Sequence, residues 1–290
     1  MRRLAAFAYR DRSPVEYLDQ HLYEVSVHMY PLLANKRLSI KFVGILIGIL
    51  HDAGKVVDVY QNCLLYDPET QACSYVGHEV FSALLVARIV DIDSIPIDVV
   101  KDLANFLSCS EDEARRALIR IVTMSVMGHH QAMGSPHDRF ESFVYRVTKQ
   151  YGLRRIKIDR AVVETIGEAL ESTRRALRED YLHVELDPRR VDYIEELCNS
   201  ALREGRQQLI DKVLSELREA LSSKRYGERL LMLEKFITGC LIAADIYVAG
   251  LRRGEAVDRP LHRHLEKMYR FYSRYLPTLA LLGESSIGSS

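Results

Sequence analysis

The chain has 290 residues, 48% of them hydrophobic and 28% charged, which is enough for one large globular domain with a sizeable core. Its 40 basic and 40 acidic side chains cancel, which excludes holding nucleic acid by bulk positive charge; a polyanion would need a local patch or bound metal. The five cysteines, at 63, 73, 109, 198 and 240, form no C-x-x-C pair, which argues against a disulfide framework or thiolate zinc site and fits a reducing cytoplasm.

The start, Met1 to Phe7, places four apolar residues after its arginines, too few for the core of a signal peptide. The longest apolar run, Phe42 to Leu50, has nine residues and cannot span a bilayer, so no membrane association is expected. Helical periods dominate, and the predicted fold is an all-α helical bundle. At most a short hairpin is expected, near Leu4 to Tyr9 or Cys63 to Tyr75.

Ser13-Pro14-Val15-Glu16 reads as a capping box with proline at the first helical position, opening a helix to about Ala34 that carries His21. The segment Ser39 to Leu50 is apolar nearly all round and predicts a buried helix ending at His51-Asp52-Ala53-Gly54-Lys55. A loop is expected from Asp67 to Gly77, then a helix from His78 to Val90 and a break at Pro96. Ser110-Glu111-Asp112-Glu113 is a second capping box, whose helix runs to about Met127 and stops at Gly128-His129-His130. Amphipathic segments continue to about Lys224, interrupted near Gly152 and Asp187-Pro188. A last apolar helix, Glu228 to Ala249, carries Asp245. The organisation predicted is one domain over 1–282 with a helical insertion at about 140–225, and a disordered Gly/Ser-rich tail at 283–290.

The chemistry is carried by His21, His51-Asp52, His78, His129-His130 and Asp245, each at a helix end or among apolar neighbours. Imidazoles with carboxylates suit borderline divalent metals. Adjacent residues such as His51 and Asp52 cannot share one face of a regular helix, but at its C-terminus the backbone can turn both into one cavity. One lone histidine is usually a satisfied core or surface group. Burying this many polar groups without a metal would leave costly unpaired donors and charges.

In this order the residues resemble the HD superfamily of metal-dependent phosphohydrolases, and most of all the stand-alone HD nuclease of type I CRISPR interference, which lacks a fused helicase. The matching stretches are His21-Leu22-Tyr23-Glu24-Val25, His51-Asp52-Ala53-Gly54-Lys55, His78-Glu79-Val80-Phe81-Ser82, Gly128-His129-His130, and Ala244-Asp245 followed by Arg252. The resemblance implies two divalent ions, Mn²⁺, Mg²⁺, Ni²⁺, Co²⁺ or Fe²⁺. One would be held by His21, His51, Asp52 and Asp245, the other by Asp52, His78, His129 and His130, with Asp52 bridging. The implied reaction is phosphodiester hydrolysis, with Asp52 central; Lys55, one turn from the doublet, could contact a non-bridging oxygen or simply answer the macrodipole at the helix C-terminus. The implied substrate is single-stranded DNA, and the implied partners are a separate helicase subunit and an RNA-guided surveillance complex. Gly48 to Lys55 is no P-loop, because Ile49 stands where glycine is required and Val56 where a hydroxyl is, so this chain has no nucleotide-driven motor.

Phe140 to Arg160 is the candidate nucleic-acid patch: Arg146, Lys149, Arg154, Arg155, Lys157 and Arg160 alternate with Phe143, Tyr145 and Tyr151. The bland alternative is core aromatics beneath a solvated cationic face. Ser82, four residues after His78, shares its helix face and could orient a ligand or phosphate, or simply pack. His28 reads as structural, and His137, His183, His262 and His264 as surface groups. Two rival functions stand beside the nuclease: an HD phosphohydrolase of nucleotides or other small phosphoesters, and a non-catalytic, metal-stabilised partner-binding module.

Overall fold

The computed structural model describes residues 4–7, 16–66, 76–130, 135–150, 152, 154–221 and 227–252. The architecture is all-α. A two-stranded antiparallel pair, β1 (Ala5–Phe7) with β2 (Glu16–Tyr17), precedes α1 (Leu18–Leu33) and α2 (Leu38–Leu50). A 3-10 turn at Ala53–Val56 leads to α3 (Asp58–Tyr66), α4 (His78–Ile89), α5 (Ile97–Leu107), α6 (Glu111–Gly128) and α7 (Pro136–Tyr145). A short π-helical stretch, Arg146–Gln150, follows, and then come α8 (Ala161–Leu177), α9 (Arg189–Glu204), α10 (Arg206–Leu221) and α11 (Gly227–Arg252).

The axis of the bundle is α2. Every residue from Phe42 to Leu50 is buried, as an all-round apolar helix requires, and α1, α5, α6, α8 and α11 all pack on it. Two glycines let α1 come close: a Cβ at Gly48 would stand 2.7 Å from the Ser26 Cα, and one at Gly44 would stand 2.1 Å from a Leu33 methyl. The start of α2 has no side-chain cap of its own. Asp102, reaching across from α5, supplies one, accepting from the Ser39 amide (2.9 Å) and hydroxyl (2.6 Å) while Arg37 donates to its other oxygen. The predicted capping box at Ser110 and Glu113 is formed as expected.

The first helix begins later than predicted. Glu16 is not its third residue but sits in β2, and Tyr17 is the N-cap; Ser13, Pro14 and Val15 lie outside the described residues. Pairing with β1 holds Glu16 extended, and the Gln61 side chain secures β1 by a donor–acceptor pair to the Ala5 backbone. Of the two hairpin positions considered, the first holds β1, whose partner β2 lies beyond it at Glu16–Tyr17, while Cys63 lies in α3. The loop positions 67–75 and the tail 283–290 fall outside the described residues.

The segment expected as an insertion shares the main core. Val162, Ile166, Ile194, Cys198, Leu209 and Val213 belong to the apolar cluster that runs from Leu4 to Val248. In this segment α8 packs on α1 and α2, while α9 and α10 pack on α4. Among the described residues no helix is long and apolar enough to cross a membrane.

Candidate metal centre

Four helix ends and one helix interior converge. His21 lies in the first turn of α1, His51 caps the C-terminus of α2, and His78 opens α4. His129 caps α6 with His130 beside it, and Asp245 projects from within α11. Asp52 follows the cap with φ −106° and ψ 9°, a sparsely used conformation that ends the α-helix and starts the 3-10 turn. That change of path lets His51 and Asp52 face one cavity.

The turn is pinned from behind. Gly54 lies so close to α4 that a Cβ would stand 2.1 Å from the His78 carbonyl oxygen and 2.5 Å from the Ser82 amide nitrogen. The Gly54 amide donates to the Ser82 hydroxyl at 2.7 Å. Ser82 is fully buried, so it serves the site through this backbone contact and is not placed to touch nucleic acid.

The two oxygens of Asp52 face opposite ways. Oδ2 lies 3.2 Å from His21 Nε2 and 3.4 Å from His51 Nε2; Oδ1 lies 2.8 Å from His78 Nε2 and 3.6 Å from His129 Nε2. Asp245 Oδ1 completes the first group, 3.3 Å from His21 Nε2 and 3.7 Å from His51 Nε2. The His130 ring closes the second, with its centroid 4.0 Å from that of His129 and 5.0 Å from that of His78. Two sets with ligand-like spacing result, His21–His51–Asp52 and Asp52–His78–His129–His130, sharing one carboxylate. All seven predicted ligands meet here.

The fit to metal is in the far nitrogens. His51 Nδ1 is 2.9 Å from the Gly48 carbonyl, His129 Nδ1 is 2.5 Å from that of Val126, and His21 Nδ1 is 3.3 Å from the Glu16 carboxylate. Such partners fix ring orientation and tautomer, leaving Nε2 to a ligand. Among the described residues, Nε2 of His21, His51 and His129 and Oδ1 of Asp52 are buried with no hydrogen-bond partner. Buried polar atoms are costly in that state, and a cation is the partner this donor set suits.

Electrostatics agree. Burial opposes a charge on Asp52, but Lys55, His51, His78 and His129 overcome it and hold its carboxyl well below the usual range. Asp245 is likewise held down, against its burial, by His21 and His51. Burial also works against protonating His21 and His51, yet the surrounding carboxylates win, raising His21 well above its ordinary value and His51 to about 9. His130 goes the other way, to about 2, through burial and the neighbouring His129 and His78. The carboxylates thus draw positive charge into the centre of the site.

Lys55 is 9% exposed and donates to Asp52 Oδ2 at 2.5 Å, so its charge bears on the shared carboxylate rather than on an open cleft. The patch after Phe140 divides. Phe140 and Phe143 are core residues, not stacking platforms, while Tyr145 is 49% exposed, with Lys149 Nζ 5.1 Å from its ring centre. Arg155 and Arg160 are ion-paired to Glu195 and Asp192; Arg154 and Lys157 are exposed, Arg146 is half-buried, and Tyr151 lies outside the described residues. His28 packs edge-on against Tyr247, and His137 and His183 are exposed; His262 and His264 lie outside the described residues.

Three residues were given no supporting role at the site from the sequence, although Glu16 was read as part of a capping box and Glu79 as part of a matching stretch. Glu16 backs His21, Gln61 ties β1 to the Lys55 carbonyl, and Glu79 lies 3.6 Å from His78 Nδ1. Only Glu79, adjacent to a predicted ligand, had a local cue.

No protein-family model matches the chain, and neither a curated protein nor a solved structure does.

Proposed function

We propose that the chain is a two-metal phosphodiesterase of the HD type that cuts single-stranded DNA in CRISPR interference, working beside a separate helicase and an RNA-guided surveillance complex. The observation that carries it is the pair of ligand groups joined through the opposed oxygens of Asp52. Divalent ions held there would supply an activated water and neutralise charge on the entering and leaving oxygens of a phosphodiester. The chain's part is positional: backbone carbonyls and Glu16 aim the histidine rings, and Lys55 balances the shared carboxylate. Asp245, whose side chain is 20% exposed, and half-buried His130 form the open side. An unpaired strand can present its phosphates one at a time to this side.

A second reading is hydrolysis of nucleotides or other small phosphoesters, supported by the pairing of Arg155 and Arg160, which removes two cations from the polymer's favour. One experiment separates them. Metal-stripped protein is incubated with labelled single-stranded DNA, duplex DNA and mononucleotides, restoring one divalent ion at a time, with Asp52→Ala alongside. Metal-dependent loss of the single strand, absent in the variant, supports the nuclease. Hydrolysed mononucleotides with inert DNA select the rival, and inert substrates throughout leave a non-catalytic metal module.

A further inference from the structure

Resting on the metal centre proposed above, we infer that Arg139 is a positioning residue: through Glu79 it aims His78 and so sets the second metal subsite separately from the first. The four histidines whose far nitrogens have assigned partners fall into two kinds. His51 and His129 are held by carbonyls of their own helices, one turn back, and need no outside support. His21, in the first turn of α1, and His78, the first residue of α4, each have a carboxylate behind Nδ1. One such histidine belongs to each ligand group.

The two carboxylates are secured by different parts of the fold. Glu16 is fixed by the β1–β2 pair. Glu79 is fully buried and gripped by the guanidinium fork of Arg139, whose Nε donates to Oε1 and whose Nη2 donates to Oε2 at 3.2 Å. Planar, two-point pairing of this sort fixes direction as well as charge. Arg139 comes from α7, which is pressed against the start of α4. A Cβ at Gly77 would stand 2.8 Å from that of Phe143, and the Tyr60 ring lies between those of Phe143 (5.4 Å) and His78 (6.3 Å). Behind His78, then, stands a brace of which Arg139 is the charged member.

Loss of a partner behind a metal-bound histidine weakens affinity by about 10–100-fold. The expectation here is that the loss falls on one ion of two. Metal-stripped full-length protein is titrated with Mn²⁺, reading free ion and the spin-coupled signal of a manganese pair, with thermal melts as the check on folding. Arg139→Gln should keep the first equivalent at its wild-type affinity, weaken the second by about 10–100-fold, and lose the coupled signal at two equivalents. Arg139→Lys, which keeps the charge without the fork, should recover part of it. Because Arg139→Gln strands a buried carboxylate, Glu79→Gln with Arg139→Gln provides a neutral pair, and it should show the same selective loss. Folded variants that bind both ions as the wild type does, or lose both equally, overturn the inference and leave the metal centre standing. A wild-type chain that binds fewer than two ions overturns the two-metal centre and the inference with it.

Discussion

Asp52 is buried among four histidines and a lysine, and its two oxygens face the two ligand groups. Replacement by Asn keeps its shape but removes the charge that both ligand groups share. Asp52→Asn is expected to lower metal-dependent hydrolysis by at least about 10²-fold and to reduce bound metal, which elemental analysis of the dialysed protein checks. Two residues on, Gly54 has no room for a side chain, since the His78 carbonyl and Ser82 amide occupy the space. Gly54→Ala should cost about 3 kcal/mol in urea unfolding, because neither backbone atom can give way without moving His78. At this scale the candidate ligands were legible in the sequence, as histidine and aspartate at helix ends carry their chemistry in their identity. Their supports were not. Arg139 meets Glu79 across 60 positions, and Gln61 meets Ala5 across 56, distances at which residue type offers no cue.

Helix limits were readable where the cap is local and misread where it is not. Ser110 and Glu113 are a self-contained device and end where predicted, whereas the Ser13-to-Glu16 pattern lost to a strand pairing that its own four residues cannot reveal. The cap of α2 comes from Asp102, 63 positions from Ser39, and it makes a testable element. Burial works against the Asp102 carboxylate, but Ser39 and Arg37 more than offset it and hold its carboxyl below the ordinary range. A group depressed in the folded state stabilises fully above its unfolded value of about 4 and loses that contribution as pH falls through its folded value. Asp102→Asn should therefore cost about 2 kcal/mol near neutrality, with a deficit that shrinks on acidification below about pH 4, as denaturant melts at both conditions would reveal. Gly167, inside α8 with open space where its Cβ would stand, is the opposite case. Gly167→Ala should stabilise by about 0.5–1 kcal/mol, measured the same way.

For the molecule as a whole, the buried axis α2 and the all-α class followed from periodicity alone. An apolar segment with no polar stripe has nowhere to lie but inside a bundle. The place of residues 140–225 did not follow, because amphipathic helices announce a buried face without saying against what; here α8, α9 and α10 complete the core shared with α1 and α4. Phe143 looks like a stacking residue in sequence for the same reason, and in the fold it backs Tyr60, whose ring faces His78. Metal bound at a site assembled from α1, α2, α4, α6 and α11 would be coupled to the whole structure. Saturation at about 100 times Kd should add about 2.7 kcal/mol to stability, raising the melting temperature of the wild type and not of Asp52→Asn.

The most direct test is anomalous scattering from crystals of the full chain grown with Mn²⁺. The account predicts two peaks about 3.5–4 Å apart flanking Asp52, one bounded by His21, His51 and Asp245 and the other by His78, His129 and His130. A cavity without anomalous signal, or a single ion that leaves one of the two groups unligated, would contradict it.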